Sequence, residues 1–291
     1  MSISIILLAA AVLGAIAIIA AVILYFVSKA FRVIEDPRID EVADLLPAAN
    51  CGGCGFAGCR NFAEAIVKAG SMEGLNCPAG GESVVNAVAA VLGLEAVLGE
   101  PQIAVVRCQG SCEFAPAKSH YEGAPSCSFA NSLFVGESAC PNGCLGLGDC
   151  VRSCNFDAIY IDDMTKLPVI DNEKCVACGA CVKACPRMLV ELRNKGKKDR
   201  RIFVSCRNTE KGAAAKRNCS VACIGCGKCL KACAFEAITL KNNLAYIDSD
   251  KCKLCRKCVA ECPTGAIVEC NFPPKKEQRA AEEIVNEPAN N

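Results

Sequence analysis

Two stretches of the sequence space their cysteines in a way that suits one kind of inorganic centre. They are Cys175, Cys178, Cys181 and Cys185 followed by Pro186, and Cys252, Cys255, Cys258 and Cys262 followed by Pro263. Three thiolates two residues apart wrap one loop around three corners of a cube. The fourth, leading into a helix before proline, points away toward a second centre. This spacing holds 4Fe–4S clusters in pairs. A structural zinc site needs only paired knuckles and would leave the third cysteine idle, and a disulfide framework has no use for the pattern.

Each run has a partner upstream, so the pattern is an internal repeat. Cys144, Cys150 and Cys154 precede the first run, and Cys223, Cys226, Cys229 and Cys233 precede the second. After each fourth cysteine come two short apolar segments around a polar turn. Ala158–Tyr160 matches Pro168–Ile170, and Ala237–Thr239 matches Leu244–Tyr246, which predicts a β-hairpin between two cluster loops. Crossed ligation then groups Cys223, Cys226 and Cys229 with Cys262, Cys252, Cys255 and Cys258 with Cys233, and Cys175, Cys178 and Cys181 with Cys154.

The remaining centre of the first copy is irregular. Leu147 stands where the second copy has Cys226, so Cys144, Cys150 and Cys185 lack a middle partner. Cys140 is the nearest replacement; a three-iron cluster or a ligand from elsewhere are the alternatives. Another spacing lies near the N-terminus: Cys51, Cys54 and Cys59 among Gly52, Gly53, Gly55 and Gly58, then Cys77. Glycine lets the backbone approach inorganic sulfide and donate N–H groups to it. A helix over Asn61–Ala69 would return the chain so that Cys77 closes a fifth site, for which a zinc knuckle is the competing reading.

Six cysteines are left: Cys108, Cys112, Cys127, Cys206, Cys219 and Cys270. The interval from Cys127 through Cys140 to Cys144 recurs from Cys206 through Cys219 to Cys223. A sixth cluster between the modules is therefore expected on Cys108, Cys127, Cys206 and Cys219. The other grouping uses Cys108, Cys112, Cys127 and Cys140, and buried apolar thiols are the plain alternative. Cys270 reads as structural.

The elements that must position these groups follow from the rest of the chain. Of 291 residues, 26 are cysteine, one is histidine (His120) and none is tryptophan. Ser2–Ser28 is uncharged and apolar, longer than the roughly 20 residues that cross a bilayer as a helix. No basic residue precedes it, unlike a cleaved signal peptide. Lys29, Arg32 and Arg38 follow it, so the positive-inside rule places the body in the cytoplasm below a single-pass anchor in the inner membrane. In that reducing compartment the cysteines are available to metal. Net charge is +1, which gives no case for nucleic acid.

The expected division is an anchor at 1–32, a small helical cluster domain at 33–98 and a connecting region with extra cysteines at 99–139. Ferredoxin-like modules follow at 140–195 and 223–270, joined by a basic linker at 196–222, with a polar tail at 271–291. The fold class is α+β with short strands. Glu191–Asn218 is strongly basic and reads either as a solvated linker or as a docking patch for an acidic electron carrier. Glu82–Leu98 has the period of a packing helix. A single histidine excludes a haem or Rieske centre with two histidine ligands, and no dinucleotide or phosphate-binding loop is present.

The order of an anchor helix, DLLPAANCGGCGFAGCRNFAEAI, NCPAGGE and then ferredoxin modules with CLGLGDC and CIGCGKC loops resembles the B component of the Rnf complexes, in a long form with two modules. The resemblance spans about Met1 to Cys270. It implies an iron–sulfur electron-transfer subunit of a membrane-bound, ion-translocating ferredoxin:NAD+ oxidoreductase. Its implied partners are the other subunits, the lipid bilayer, and a soluble ferredoxin or flavodoxin as donor. The nicotinamide and flavin sites would belong to other subunits, so this chain alone is an oxidoreductase only as part of its assembly. A ferredoxin-like subunit of another membrane complex, such as a hydrogenase, is the alternative, and the CGGCGFAGC motif beside the anchor argues against it.

Overall fold

The computed structural model describes residues 3–30, 36–133 and 136–273; Arg32 and the tail from 274 to 291 lie outside the described residues. Helix α1 (Ile3–Ala30) is 28 residues long. Leu13, Ile16, Ile19, Leu24 and Phe26 all stand exposed on it, and Ala11–Lys29 is long and apolar enough to cross a membrane. A helix apolar on every face has no polar side for water, whereas lipid suits it because the helix satisfies its own backbone.

Helices α2 (Arg38–Leu45), α3 (Cys59–Ala69) and α4 (Gly81–Leu92) form the next unit. Their apolar residues recur at helical spacing, so Ile39, Val42, Phe62, Ile66, Val85 and Val88 meet in one core. The two helices expected from periodicity, Asn61–Ala69 and Glu82–Leu98, correspond to α3 and to α4, which stops at Leu92 with Gly93 left-handed.

The remainder is built twice. Strands β2 (Ile159–Ile161) and β3 (Pro168–Ile170) pair antiparallel with Ile159 opposite Ile170, and β6 (Ile238–Lys241) pairs with β7 (Leu244–Ile247) with Ile238 opposite Ile247. Both hairpins lie where the apolar segments predict them. A second ribbon in each copy carries no such signal. Strand β1 (Gln102–Val106) pairs with β4 (Val190–Asn194), and β5 (Arg201–Val204) pairs with β8 (Ile267–Cys270), each antiparallel. These partners are far apart in sequence, so no turn marks them. Short helices α6 (Asp149–Arg152), α7 (Ala180–Ala184), α9 (Lys228–Ala232) and α10 (Lys257–Ala260) carry the cluster loops back to the strands, while α5 (Cys127–Leu133) and α8 (Gly212–Asn218) lie upstream of the two copies.

The basic stretch between the copies is not a free linker. It contributes β4, β5 and α8, and Arg193 and Arg201 are 3% and 5% exposed. Arg193 lies 5.0 Å from the Tyr246 ring centre and Arg107 lies 5.1 Å from it. The copies meet here, with Ile103 and Val105 of β1 packed against Phe203 of β5. Polar bonds cross the same seam. Arg107 donates from Nε to the Val204 carbonyl at 3.2 Å and from Nη2 to the Cys206 carbonyl at 3.1 Å, and Ser205 Oγ donates to the Val106 carbonyl at 3.1 Å.

Candidate iron–sulfur centres

Four loops share one backbone course. The second residue after the leading cysteine is left-handed in each, at Gly146, Ala177, Gly225 and Leu254, and a second left-handed residue opens the following helix at Gly148, Gly179, Gly227 and Arg256. Gly225 has a packing reason as well, since a Cβ there would lie 2.7 Å from the Asn243 carbonyl oxygen. Between the two left-handed residues stands the middle cysteine, Cys178, Cys226 or Cys255. Leu147 occupies that place in the first loop, as its spacing predicts.

The loops bring the crossed sets together. One enclosed pocket is lined by Cys154, Cys175, Cys178 and Cys181 (site II), and another by Cys223, Cys226, Cys229 and Cys262 (site V). Cys252, Cys255, Cys258 and Cys233 lie within electrostatic reach of one another (site VI). Cys77 feels Cys54 and Cys59 and accepts backbone N–H bonds from Ala79 and Gly80; Cys51 lies on the same loop, within reach of Cys178 of site II, and these four are candidate site I. Asn50 closes that loop by accepting the Cys59 N–H at 2.9 Å.

At the irregular centre, placement differs from the expectation. The pocket there is lined by Cys144, Cys150, Cys185 and Cys127 (site III), not Cys140. Asp149 explains the choice. Its carboxylate accepts the N–H groups of Cys127 and Ser128 at 2.9 Å each and the Ser126 hydroxyl at 3.1 Å. A carboxylate at the free N–H groups of a helix start is favourable, so α5 docks with Cys127 facing the loop that holds Cys150. Burial tends to raise the Asp149 carboxyl, but these bonds hold it below the usual range. Cys127 thus lines the pocket where Leu147 leaves a cysteine missing.

Cys140 instead lies within reach of Cys108, Cys206 and Cys219. The expected set of Cys108, Cys127, Cys206 and Cys219 is therefore corrected at one member. The matched interval pairs Cys127 with Cys206, whereas in space the counterpart of Cys206 is Cys108, because each follows a strand end, Val106 or Val204, by two residues. That signal was present in the sequence but needs the strands to be known. Cys112 lies exposed, its Sγ 3.5 Å from the Met164 carbonyl, and the Cys270 side chain packs at the seam with Ile103 and Phe203. His120 is on the surface beside Glu137.

The chemistry of these pockets fits iron–sulfur clusters. Sites II and V are lined by cysteine and apolar or small residues, with no carboxylate or imidazole, and site III adds Asp149, whose oxygens are engaged, and Arg187. Burial pushes the thiols of Cys144, Cys181 and Cys258 up to about 12, and those of Cys150 and Cys229 up to about 11. Such thiolates are stable in place only beside compensating metal charge. Among the described residues, no three cysteine, histidine or acidic side chains close to the spacing of a single ion.

Sites I and II, II and III, and V and VI lie close to one another. A Cβ on Gly53 of site I would lie 2.8 Å from Cys178 Cα of site II. Cys181 of site II feels Cys150 of site III, and Cys258 of site VI feels Cys229 of site V.

A family model for a 4Fe-4S dicluster domain matches residues 139–189 and 222–266, and a model for a putative Fe-S cluster matches residues 46–79. The chain is 45% identical over 256 residues to the B component of the Na(+)-translocating ferredoxin:NAD(+) oxidoreductase complex of Acetobacterium woodii, covering 88% of this chain and 75% of that one. It is 42% identical over 258 residues to the B component of the proton-translocating ferredoxin:NAD(+) oxidoreductase complex of Clostridium ljungdahlii, covering 88% and 89%. It is also 41% identical over 257 residues to the B component of the ion-translocating oxidoreductase complex of Methanosarcina acetivorans, covering 88% and 96%.

Proposed function

The chain belongs to the B-component family of ion-translocating ferredoxin:NAD(+) oxidoreductase complexes, and on that premise we propose that it takes electrons from a reduced ferredoxin at its far module and relays them toward the membrane. The observation that carries this reading is the contact between consecutive cysteine sets within each module and between site I and site II. A bound 4Fe–4S cluster supplies one-electron chemistry, with a potential set by charge, hydrogen bonds and exposure. The chain's own residues hold each centre at close range to the next and keep water from the inner ones. Cys154, Cys175, Cys178 and Cys181 are the ligands of site II, Cys127, Cys144, Cys150 and Cys185 of site III, Cys223, Cys226, Cys229 and Cys262 of site V, Cys233, Cys252, Cys255 and Cys258 of site VI, and Cys51, Cys54, Cys59 and Cys77 of site I.

Entry is assigned to the module 2 end. Cys226 and Cys255 are exposed there, and Lys228, Lys231, Lys251, Lys253 and Lys257 stand exposed around them, against Asp250 and Glu261. A positive rim beside an exposed centre steers an acidic carrier; Arg193 and Arg201 of the 191–218 stretch are buried and suit that task less. The bilayer receives α1, with the body on the cytoplasmic side by the charge of Lys29, Arg32 and Arg38. Full-length protein purified in detergent without oxygen is expected to hold at least about 20 iron and 20 sulfide per chain, for five 4Fe–4S centres. Zinc in place of iron would overturn the reading. The double substitution K253E/K257E is expected to slow oxidation of reduced ferredoxin by about tenfold at low salt, with the deficit shrinking as ionic strength rises; a rate equal to the unmodified protein would move the entry point elsewhere.

Asp149 offers a separate check on site III. Asp149→Ala leaves the first N–H groups of α5 without an acceptor, a loss of about 1–2 kcal/mol for a helix cap, and lets Cys127 swing away. The oxidised variant is expected to show a three-iron EPR signal absent from the unmodified protein. An unchanged spectrum would mean that Cys127 holds its place without the cap.

A further inference from the structure

Sites I to III and sites V to VI form two separate groups, and the four cysteines left between them close the gap. We infer that Cys108, Cys140, Cys206 and Cys219 hold a sixth 4Fe–4S cluster (site IV) at the seam of the two modules, making the relay continuous; this rests on the electron-transfer reading above. Neither family match includes Cys108, Cys206 or Cys219, since the dicluster match covers 139–189 and 222–266 and the other 46–79.

The four thiols arrive from four segments and are withdrawn from water. Cys140, Cys206 and Cys219 are 7%, 8% and 6% exposed. Cys108 follows β1, Cys206 follows β5, Cys219 ends α8, and Cys140 lies in the turn before site III. Gly110 fits between two of them, since a Cβ there would lie 3.3 Å from Cys219 Sγ and 3.7 Å from Cys108 Sγ.

Donors are aimed at the sulfurs. The Cys144 N–H donates to Cys108 Sγ at 3.5 Å, the Asn208 N–H donates to Cys206 Sγ at 3.4 Å, and Asn208 Nδ2 donates to Cys140 Sγ at 3.7 Å. Asn208 is 1% exposed, and Glu210 holds its amide by accepting from Nδ2 at 3.0 Å. The buried Asn208 side chain thus supplies one donor to sulfur and its backbone a second, the kind of bonds that orient and tune cluster ligands. Four sulfurs from four segments converge on one point, with N–H donors aimed at three of them, as a cluster's ligands require.

The arrangement is close to symmetric, one half from each copy. Cys108 and Cys140 come from the side of module 1 and Cys206 and Cys219 from the side of module 2. Cys140 lies four residues before Cys144 of site III, and Cys219 four before Cys223 of site V. The Cys144 N–H bond to Cys108 has its counterpart in the Cys223 N–H bond to Cys206. Each flanking centre is therefore one hydrogen bond from site IV. The bonds of Arg107 and Ser205 across the seam hold Cys108 and Cys206 in register, making Arg107 a positioning residue for the site.

The test is metal content and EPR of the full-length protein in detergent, prepared without oxygen. The unmodified chain is expected to carry about 24 iron, Cys219→Ser about four fewer, and Cys112→Ser, whose thiol is on the surface, the full number. Unmodified protein with about 20 iron and no loss in Cys219→Ser would overturn site IV while leaving the five-centre reading intact; zinc without iron would overturn both. Asn208→Leu keeps every cysteine and removes one donor to sulfur. It is expected to keep its iron and to lower the midpoint potential of one EPR signal, and potentials unchanged from the unmodified protein would also overturn the assignment.

Discussion

Iron removed from the full-length protein by a chelator under anaerobic, reducing conditions is expected to unfold the body from residue 102 to residue 270. The reason lies in what the core contains. In module 2 the buried cluster mixes Ile202, Val204, Ile238, Ile247 and Ile267 with Cys140, Cys206, Cys219, Cys223, Cys229 and Cys258. Every sheet among the described residues has two strands, and an isolated two-stranded ribbon is at best marginal in water. The helices α6, α7, α9 and α10 are four or five residues long, far below the roughly 12 that hold a helix alone. With the centres gone, the four-cysteine pockets become voids lined by buried thiols, and little apolar packing is left to oppose chain entropy. The unit of α2, α3 and α4 has an aliphatic and aromatic core of its own and is expected to keep most of its structure. Amide hydrogen exchange read by mass spectrometry separates the regions. Protection lost across 102–270 and retained at 38–92 is the expected pattern; protection persisting across both would mean that side-chain packing alone sustains the modules.

Gly53→Leu is expected to break the relay at one joint while leaving the metal in place. The Cβ of any larger residue would meet Cys178 Cα at 2.8 Å, Pro78 Cγ at 2.9 Å and Cys178 Cβ at 3.1 Å. Two of these atoms belong to the cluster-bearing residue Cys178 itself, so neither can turn aside, and the units bearing sites I and II must separate. Overpacking of this kind costs about 1–3 kcal/mol, enough to shift the contact without unfolding either unit. Electron transfer between centres weakens steeply as they move apart. Iron content is expected to be unchanged, while electron arrival at site I after rapid reduction of the far module slows severalfold. Ala57→Leu, at an exposed position of the same loop, is the control and should leave the rate as it was. Equal rates in both variants would show that the path to the membrane does not cross this contact.

What could be read along the chain and what could not divide on one physical line. The three-cysteine loops, their crossed fourth ligands and the hairpins between them depend on contacts made within one or two turns of chain. The cysteine interval, Gly225 and the apolar triplets therefore carry them openly. The same holds for α1, whose length and lack of charge mark it as apolar on every face, and for α3 and α4, whose apolar residues repeat at helical period. The second ribbons, β1 with β4 and β5 with β8, carry no such mark, because their partners are tens of residues apart and either strand alone is a short apolar run. The basic residues from Glu191 to Asn218 read as a solvated stretch, yet Arg193 and Arg201 are covered by the seam that the ribbons create.

The exchange of Cys127 and Cys140 follows from that limit. In sequence the two are told apart only by distance from Cys144, which favours Cys140 for the irregular centre and pairs Cys127 with Cys206. Tertiary structure decides otherwise by two long-range arrangements. Asp149 caps α5 and turns Cys127 into site III, and the pairing of β1 and β5 with distant strands brings Cys108 beside Cys206, leaving Cys140 to face Cys219. Residue type and local spacing were enough to read the chain as a carrier of iron–sulfur centres with one N-terminal helix long and apolar enough to cross a membrane. Which cysteines lie together beside the seam depends on packing alone, because a set closed by long-range contacts has no spacing of its own to read.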